Sequence, residues 1–442
     1  LFPGSMSRCP HKPASLRAGV PVFRRFAGFL AKRPCKPAEQ PKNNSRCGRT
    51  DENMKLFIDA VWESLYHYGE ELCGDKVEIV RNDDFFLMVL ADGLGSGVKA
   101  NILSTLTSKI IATMMAQGSS LEEAVETIAS TLPVCQDRGI AYSTFTIVKV
   151  ERTGAVYLAE FDNPLTVWMH DGAVCELKRE ELLLGGKQIF TSRFQASPGD
   201  MLVSFSDGVV HAGVGRLLDL GWQYQNIVNY IVEHYTDDIS PREMVKKLLG
   251  SVNTLYMDKP GDDSTVCAMR IKNATPLTVM VGPPSNGEMD RVVVDKLMHN
   301  GGLKVVCGGT TSQIVSRITG RELEVMIDYE NPAVPPTAHI PGIDLVTEGV
   351  LTLGKCVEYM KQYTDGDKHS LDFVLNKKDG ASKLCKMLLE ECTEVQFLVG
   401  QALNPAHQNP GMPLSLGLKL NLIKELSHEL EKTGKKVSAE YF

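Results

Sequence analysis

The spacing of apolar and polar positions divides the chain into stretches of different period. Phe57, Ala60, Val61, Ser64, Leu65 and Tyr68 fall on one helical stripe that Gly69 ends, so the pattern predicts a first helix starting at Met54. Short strands bounded by turns follow over residues 76–80 and 85–91, the second a nearly continuous apolar run suited to burial on both faces. A helix is then expected from about Val98, with Ile102, Leu106, Ile110 and Met114 on one face. Ser120-Leu121-Glu122-Glu123 reads as a capping box opening another helix through Ser130. Strands are expected over 142–151, 155–161, 166–170 and 201–205, with Asp171-Gly172 as a hairpin turn. Helices over 223–235 and 241–257 lead to a last strand over 265–271. Helices and sheets in this order make an α+β fold in which helices cover sheets.

Near residues 272–276 the pattern changes. Strands are expected over 277–281, 303–307, 323–327, 343–346 and 395–399, and helices over 288–299, 310–318, 353–362, 382–390 and 415–433. Alternation of this kind implies a mostly parallel sheet in a C-terminal α/β domain. The expected organisation is residues 1–53 as an arm, 54–272 as one domain and 276–442 as a second.

Composition sharpens this division. The 442 residues carry a formal charge of −7, with 43 % hydrophobic and 23 % charged residues, as in ordinary globular proteins. No apolar run approaches the ~18 residues of a membrane-spanning helix. Residues 1–53 hold 11 Lys and Arg against 3 acids, a balance of +8, which leaves −15 for the remainder. An acidic body is a poor match for nucleic acid, and prolines 10, 13, 21, 34, 37 and 41 keep the basic arm from packing as a DNA-binding domain. The arm reads as a disordered extension, or as a tag or misplaced start ahead of Met54, with Gly4-Ser5-Met6 resembling a linker before a start codon; targeting or polyanion binding is the rival reading. The 11 cysteines show no CxxC and no zinc-ligand spacing, and Cys135, Cys175, Cys267, Cys307, Cys385 and Cys392 lie in or beside apolar stretches. A reducing cytoplasm is the expected compartment.

The candidate chemistry lies in four acidic turns, each where a strand meets a glycine-containing loop. They are Gly74-Asp75, Ala91-Asp92-Gly93-Leu94-Gly95-Ser96-Gly97, Phe205-Ser206-Asp207-Gly208 and Gly261-Asp262-Asp263-Ser264-Thr265. Any one alone reads as a turn. Together, carboxylates on rigid strand ends offer hard oxygen ligands suited to Mg²⁺ or Mn²⁺.

In this order the motifs resemble the metal-dependent PPM (type 2C) protein Ser/Thr phosphatases, in their bacterial SpoIIE-like branch, over about residues 56–271; Tyr142-Ser143-Thr144 and Pro198-Gly199-Asp200 also stand in family positions. The resemblance implies a β-sandwich flanked by helix pairs, with two Mn²⁺ or Mg²⁺ ions at one end. It makes Asp92 the bridging carboxylate, gives the Gly93 carbonyl to one ion, and adds Asp75 on one side and Asp207 and Asp262 on the other. Asp263, where relatives often carry a polar neighbour, completes the candidate metal set. Asp75, Asp92, Asp207 and Asp262 are the expected catalytic residues. The implied reaction is direct attack of metal-bound hydroxide on phosphoserine or phosphothreonine without a phosphoenzyme. Ser96 and Lys99 follow the second motif and His211 the third, and none is assigned as general acid. Phe161-Asp162-Asn163-Pro164 and Gly185-Gly186-Lys187 depart from the family's usual turns, on the surface expected to face substrate.

In the second domain Cys307-Gly308-Gly309-Thr310-Thr311-Ser312 joins a strand to a helix N-terminus. Gly282-Pro283-Pro284-Ser285-Asn286-Gly287, Thr347-Glu348-Gly349 and Asn404-Pro405-Ala406-His407-Gln408-Asn409 are expected at the same sheet edge. Gly308, Gly309, Thr310, Thr311, Ser312 and Glu348 form a candidate ligand site for a small phosphate-bearing molecule, against which stands an ordinary tight turn with a helix cap. The function expected is a protein Ser/Thr phosphatase regulated by the C-terminal domain; the alternative is a non-enzymatic ligand-sensing regulator on a phosphatase-like scaffold. The expected partners are a phosphoprotein resembling an anti-sigma-factor antagonist, the small phosphate-bearing ligand and a second copy of the chain in a homodimer, with no nucleic acid.

Overall fold

A computed structural model describes residues 56–131, 143–184, 187–326, 336–364, 375, 377, 379–402 and 414–442. The arm 1–53, Cys135, Tyr142, Gly185, Gly186 and the segment 404–409 lie outside the described residues.

In chain order the first half contains β1 (Leu56–Leu65), β2 (Asp75–Arg81), β3 (Phe85–Asp92), α1 (Gly97–Ala116), α2 (Leu121–Thr131), β4 (Thr144–Glu151), β5 (Ala155–Phe161), β6 (Val167–His170), β7 (Ala173–Cys175), β8 (Glu180–Leu184), β9 (Lys187–Gln195), β10 (Met201–Phe205), the single turn α3 (Asp207–Val210), α4 (Tyr224–His234), α5 (Pro241–Leu255) and β11 (Ser264–Asn273). The strands form two antiparallel sheets, ordered β1-β11-β10-β6-β7 and β2-β3-β4-β5-β9-β8. One core lies between them, with Met88, Leu90, Val148 and Leu158 of one sheet against Leu202, Cys267, Met269 and Ile271 of the other. α1 and α2 bury Ile111, Met115, Val125 and Ile128 on the outer face of the six-stranded sheet. α4 and α5 bury Ile227, Ile231, Val245 and Leu248 on the outer face of the five-stranded one. The result is the expected β-sandwich flanked by helix pairs.

Local signals explain several boundaries. Ser120 and Glu123 exchange capping hydrogen bonds at the start of α2 (3.2 Å each). A second capping box, Ser240 with Glu243, opens α5 with Pro241 in its first turn. Asp171 (φ 47°) and Gly172 (φ 74°) form the β6–β7 hairpin turn.

Two expectations are corrected. The segment from Phe57 is strand β1, paired antiparallel along its whole length with β11, from Leu56 opposite Asn273 to Leu65 opposite Ser264. Ile58, Ala60 and Trp62 pack toward the inter-sheet core, and the intervening residues are also half-buried, so a strand covered on both faces imitates a helical stripe. α1 forms where expected, but its buried face is Ala100, Ser104, Thr107, Ser108, Ile111, Ala112 and Met115, whereas Val98, Ile102 and Leu106 are exposed. Small residues beneath the helix let it lie close on β2 and β3.

The second half contains β12 (Pro276–Val281), α6 (Asp290–His299), β13 (Leu303–Cys307), α7 (Gly309–Thr319), β14 (Glu324–Val325), β15 (Ala338–His339), β16 (Leu345–Thr347), α8 (Val350–Thr364), α9 (Gly380–Lys386) continued by a wider turn Met387–Glu391, β17 (Glu394–Val399), α10 (Leu414–Lys432) and β18 (Lys436–Tyr441). Its sheet runs β14-β15-β16-β13-β12-β17-β18. The five strands from β16 to β18 are parallel, and β14 and β15 form an antiparallel edge. Leu277, Val279 and Val281 face α8, α9 and α10 on one side, and Met280, Val306 and Leu398 face α6 and α7 on the other. The expected strand over 323–327 shrinks to β14, and β8, β9 and β18 went unanticipated. All the described residues belong to one compact unit, in which two residues separate β11 from β12.

Candidate active site

Strand register brings the acidic turns to one end of the sandwich. Asp75 opens β2 directly opposite Asp92, which closes β3 and lies opposite Thr144 of β4. Asp207 stands two residues past the end of β10, and Asp262 and Asp263 precede the first residue of β11. The six-stranded sheet thus supplies two carboxylates and the five-stranded sheet three. Ser206 joins the two sets: its hydroxyl donates to Asp75 Oδ2 (2.7 Å) and accepts from the Thr265 N–H (2.9 Å).

Asp75 is 4 % exposed, and its Oδ1 is buried without a hydrogen-bond partner. Burial, opposed by the Ser206 bond, pushes its carboxyl up to about 7, with Asp263 and Asp207 adding repulsion. Asp92 rises to about 10 through burial, the charges of Asp75 and Asp207 and a hydrogen bond shared with Asp207. Asp262 rises to about 6 through burial and Asp207. Carboxylates held at strand ends are therefore crowded enough to resist joint ionisation, as a site that awaits positive charge would be.

The glycines of the motifs have a packing cause. A Cβ on Gly93 would lie 2.1 Å from the Ala100 carbonyl of α1, and one on Gly208 would lie 2.0 Å from the Asp263 carbonyl. The Tyr256 hydroxyl donates to the Gly208 carbonyl (2.8 Å), fastening the turn that carries Asp207. Asp263 differs from the other acids, since it accepts from the backbone N–H groups of His67 (3.0 Å) and Gly74 (2.8 Å) and so ties the β1–β2 loop to the start of β11. His67 itself was not anticipated. Its Nδ1 is buried without a partner, and the ring stands within electrostatic reach of Asp262. It lies inside the segment whose pattern read as a helix, off its apolar stripe, so no motif marked it.

Among the described residues no group of three or more His, Cys, Asp or Glu side chains is arranged to hold a metal ion. The donor chemistry nonetheless fits a hard divalent cation: the candidate donors are oxygens, one of them a buried carboxylate atom with no partner. Of the remaining candidates, Ser96 donates to Glu70 (3.3 Å), while Lys99 and His211 are exposed. Asn163 is buried, accepts from the Thr144 hydroxyl (2.8 Å) and donates to that of Thr146 (3.2 Å), so this departure from the family's turn holds β4 beside Asp92. Asp200 is a clamp within the five-stranded sheet, bonded to Trp168 Nε1 (3.0 Å), His170 Nδ1 (2.6 Å) and the Ser197 N–H (3.0 Å).

The C-terminal turns gather at the carboxyl ends of β12, β13 and β16. Gly308 (φ 119°) caps α7 and donates to the Thr347 carbonyl (2.9 Å). Gly309 and Thr310 open the helix, and the Ser312 hydroxyl donates to the Gly309 carbonyl (2.8 Å). Thr311 is fully buried with Oγ1 unpartnered. Glu348 accepts from the Leu351 N–H (3.1 Å) and so serves as a cap for α8.

A two-sheet sandwich with helix pairs outside and carboxylates at one end is the architecture of the PPM phosphatases. Residues 82–272 match the family Stage II sporulation protein E (SpoIIE), so this segment is a SpoIIE-family, PPM-type phosphatase domain. Similar solved structures include the PP2C phosphatase domain with a fragment of the regulatory domain of SpoIIE from Bacillus subtilis (19 % identity, TM-score 0.44, covering 50 % of this chain and 66 % of that one). Another is the SpoIIE phosphatase domain in a crystal form without domain swapping (18 %, 0.41, 51 % and 96 %). A third comprises the RsbU and RsbW domains of a Mycobacterium tuberculosis protein (16 %, 0.43, 61 % and 71 %). The chain thus spans just under two thirds of the first of these. No curated protein matches the chain.

Proposed function

We propose that this chain hydrolyses phosphoserine or phosphothreonine in a partner protein, with Mg²⁺ or Mn²⁺ held by Asp75, Asp92, the Gly93 carbonyl, Asp207 and Asp262. The observation that carries the reading is the unpartnered Oδ1 of Asp75 among carboxyls raised by burial and one another. When bound, two such ions supply charge that activates water and offsets the charge of the phosphoryl group. The chain's own residues position that chemistry. Ser206 orients Asp75, Tyr256 fixes the Asp207 turn, and Asp263, with both oxygens committed to backbone N–H groups, acts as a positioning residue beside the metal set.

In this reading residues 54–272 form the catalytic domain, and 276–442 regulate it, with a small phosphate-bearing ligand at Gly308 to Ser312 supported by the unpartnered Thr311 hydroxyl. The phosphoprotein substrate, one resembling an anti-sigma-factor antagonist, follows from the family match alone. A reducing cytoplasm suits the seven described cysteines, all of them buried. No described helix is long and apolar enough to cross a membrane.

The test is hydrolysis of p-nitrophenyl phosphate and phosphopeptides by purified protein with Mn²⁺, beside Asp92→Asn and Asp207→Asn. The expected loss in each variant is about 100-fold or more, the scale for removing a group that holds transition-state charge. Full activity in either variant refutes the assignment. A protein that binds no Mn²⁺ by calorimetry would instead be the non-enzymatic regulator.

A further inference from the structure

A cleft of about 880 Å³ opens where β1 and the end of β2 meet α8 and the segment 431–436 between α10 and β18. Two cations converge on it. Arg81 stands with its guanidinium carbon 5.9 Å from the centre of the Phe57 ring, and the Lys435 ammonium is 5.3 Å from the same centre. Lys435 is 6 % exposed, yet its ammonium donates to a backbone carbonyl, that of Cys392; the Arg81 guanidinium likewise donates to the Ile58 carbonyl (2.6 Å).

The nearby acid, Asp59, is already bonded to Lys272 (2.6 Å). Arg81 and Lys435 thus gather with Lys272 about Asp59, and over the whole lining four cations stand against the three carboxylates Asp59, Asp83 and Glu431, an excess of one positive charge, with Lys435 buried. Burial and mutual repulsion depress the Lys435 ammonium accordingly. Asp83, also at the cleft, is bonded to Arg152 (2.9 Å) and to Lys436. Phe57 and Tyr363 supply aromatic walls.

We propose that this cleft binds a small organic phosphate, whose charge is received by Arg81 and Lys435 and whose body lies against the aromatic walls. The volume falls within the range of small-molecule sites, roughly 300–1,000 Å³. A guanidinium and an ammonium placed together match a phosphate dianion better than a single carboxylate. The site is separate from the turn at Gly308 to Ser312.

One consequence concerns the carboxylates and rests on the phosphatase reading. β2 carries Arg81 at one end and Asp75 at the other, about 20 Å away at ~3.3 Å per residue, so a ligand gripping Arg81 pulls on the strand that presents Asp75.

The test is calorimetry on the full chain in EDTA with three probes: inorganic phosphate, AMP and fructose 1,6-bisphosphate. Saturable binding of at least one organic phosphate is expected, weakened about tenfold or more by Arg81→Gln with Lys435→Gln. AMP binding points to a nucleotide source, and the bisphosphate alone to a sugar phosphate. Should the buried double variant lose its circular dichroism, the exposed Lys432→Gln with Lys436→Gln decides, with a weakening of about threefold expected from two rim charges. Asp92→Asn must still bind the same probe, since the cleft lies outside the carboxylate site. Absence of heat with all three probes, binding untouched by both lysine-bearing pairs, or binding lost in Asp92→Asn overturns the proposal. Because no arm reads hydrolysis, its failure is distinct from failure of the phosphatase reading.

Discussion

Replacing Ser206 by Ala removes one hydroxyl from the seam between the two sheets. Ser206 is fully buried and stands at the N-cap of α3, but its side chain makes no helix-capping bond; it is committed instead to Asp75 and the Thr265 N–H. The substitution strips Asp75 of its 2.7 Å donor while Oδ1 is already unpartnered, and leaves a buried backbone N–H without an acceptor. At pH 8, above the Asp75 value of about 7, a bond to its carboxylate is worth about 1.5–3 kcal/mol and an orphaned N–H costs about 1–3 kcal/mol. Partial relaxation brings the expected loss to about 2–4 kcal/mol in urea unfolding of the metal-free protein. Orientation of a candidate ligand is lost as well, so Mn²⁺ affinity falls about 10- to 100-fold by calorimetry. A double-mutant cycle with Asp75→Asn isolates the contact, with a coupling of about 1–2 kcal/mol expected. A loss below about 0.5 kcal/mol with unchanged Mn²⁺ affinity would refute the view that this serine sets the seam.

Other expectations follow from the same geometry. Gly93→Ala drives a methyl to 2.1 Å from the Ala100 carbonyl and should cost about 3 kcal/mol or more; a melting temperature within error of the unsubstituted protein would show that α1 moves aside freely. Asp200→Ala leaves Trp168 Nε1, His170 Nδ1 and the Ser197 N–H without their acceptor and should cost about 3 kcal/mol in urea unfolding, far from any effect on Mn²⁺ affinity. In EDTA, Asp75 (about 7) and Asp262 (about 6) retain protons that the unfolded chain has released near pH 4. The folded state then binds more protons, so their contribution to stability is present at low pH and is lost as pH rises through 6 and 7. Thermal melts in EDTA should fall between pH 5.5 and 8, and saturating Mg²⁺ should offset the fall; a melting temperature that climbs over this window contradicts the crowded-carboxylate picture.

What the sequence could reveal depended on whether a physical cause left a local trace. The convergence of the acidic turns was legible because a strand end, a close backbone approach and a carboxylate occupy adjacent positions, so Asp92-Gly93 and Asp207-Gly208 each carry a candidate ligand and a packing cause in two residues. β1 was not legible as a strand, since burial on both faces erases the alternation that marks one. α1 was placed correctly, and of its expected face Ile110 and Met114 pack against the core while the N-terminal half is turned outward. Near the carboxylates the helix must approach β3 so closely that Ala100, Ser104 and Ser108 are required underneath, which leaves Val98, Ile102 and Leu106 outside; apolarity there reported the opposite of burial. Ser206 stood in a quoted motif, yet its bond to Asp75 crosses between sheets and has no spacing to betray it. The same reasoning explains the cleft. Arg81 closes an early strand and Lys435 precedes the last one, each unremarkable in its own neighbourhood, and only the antiparallel β1 and the parallel sheet that follows β11 set both beside the Phe57 ring. Charges recruited singly from distant elements form a site without a motif, so such a site is found by asking which buried charges lack a counter-charge.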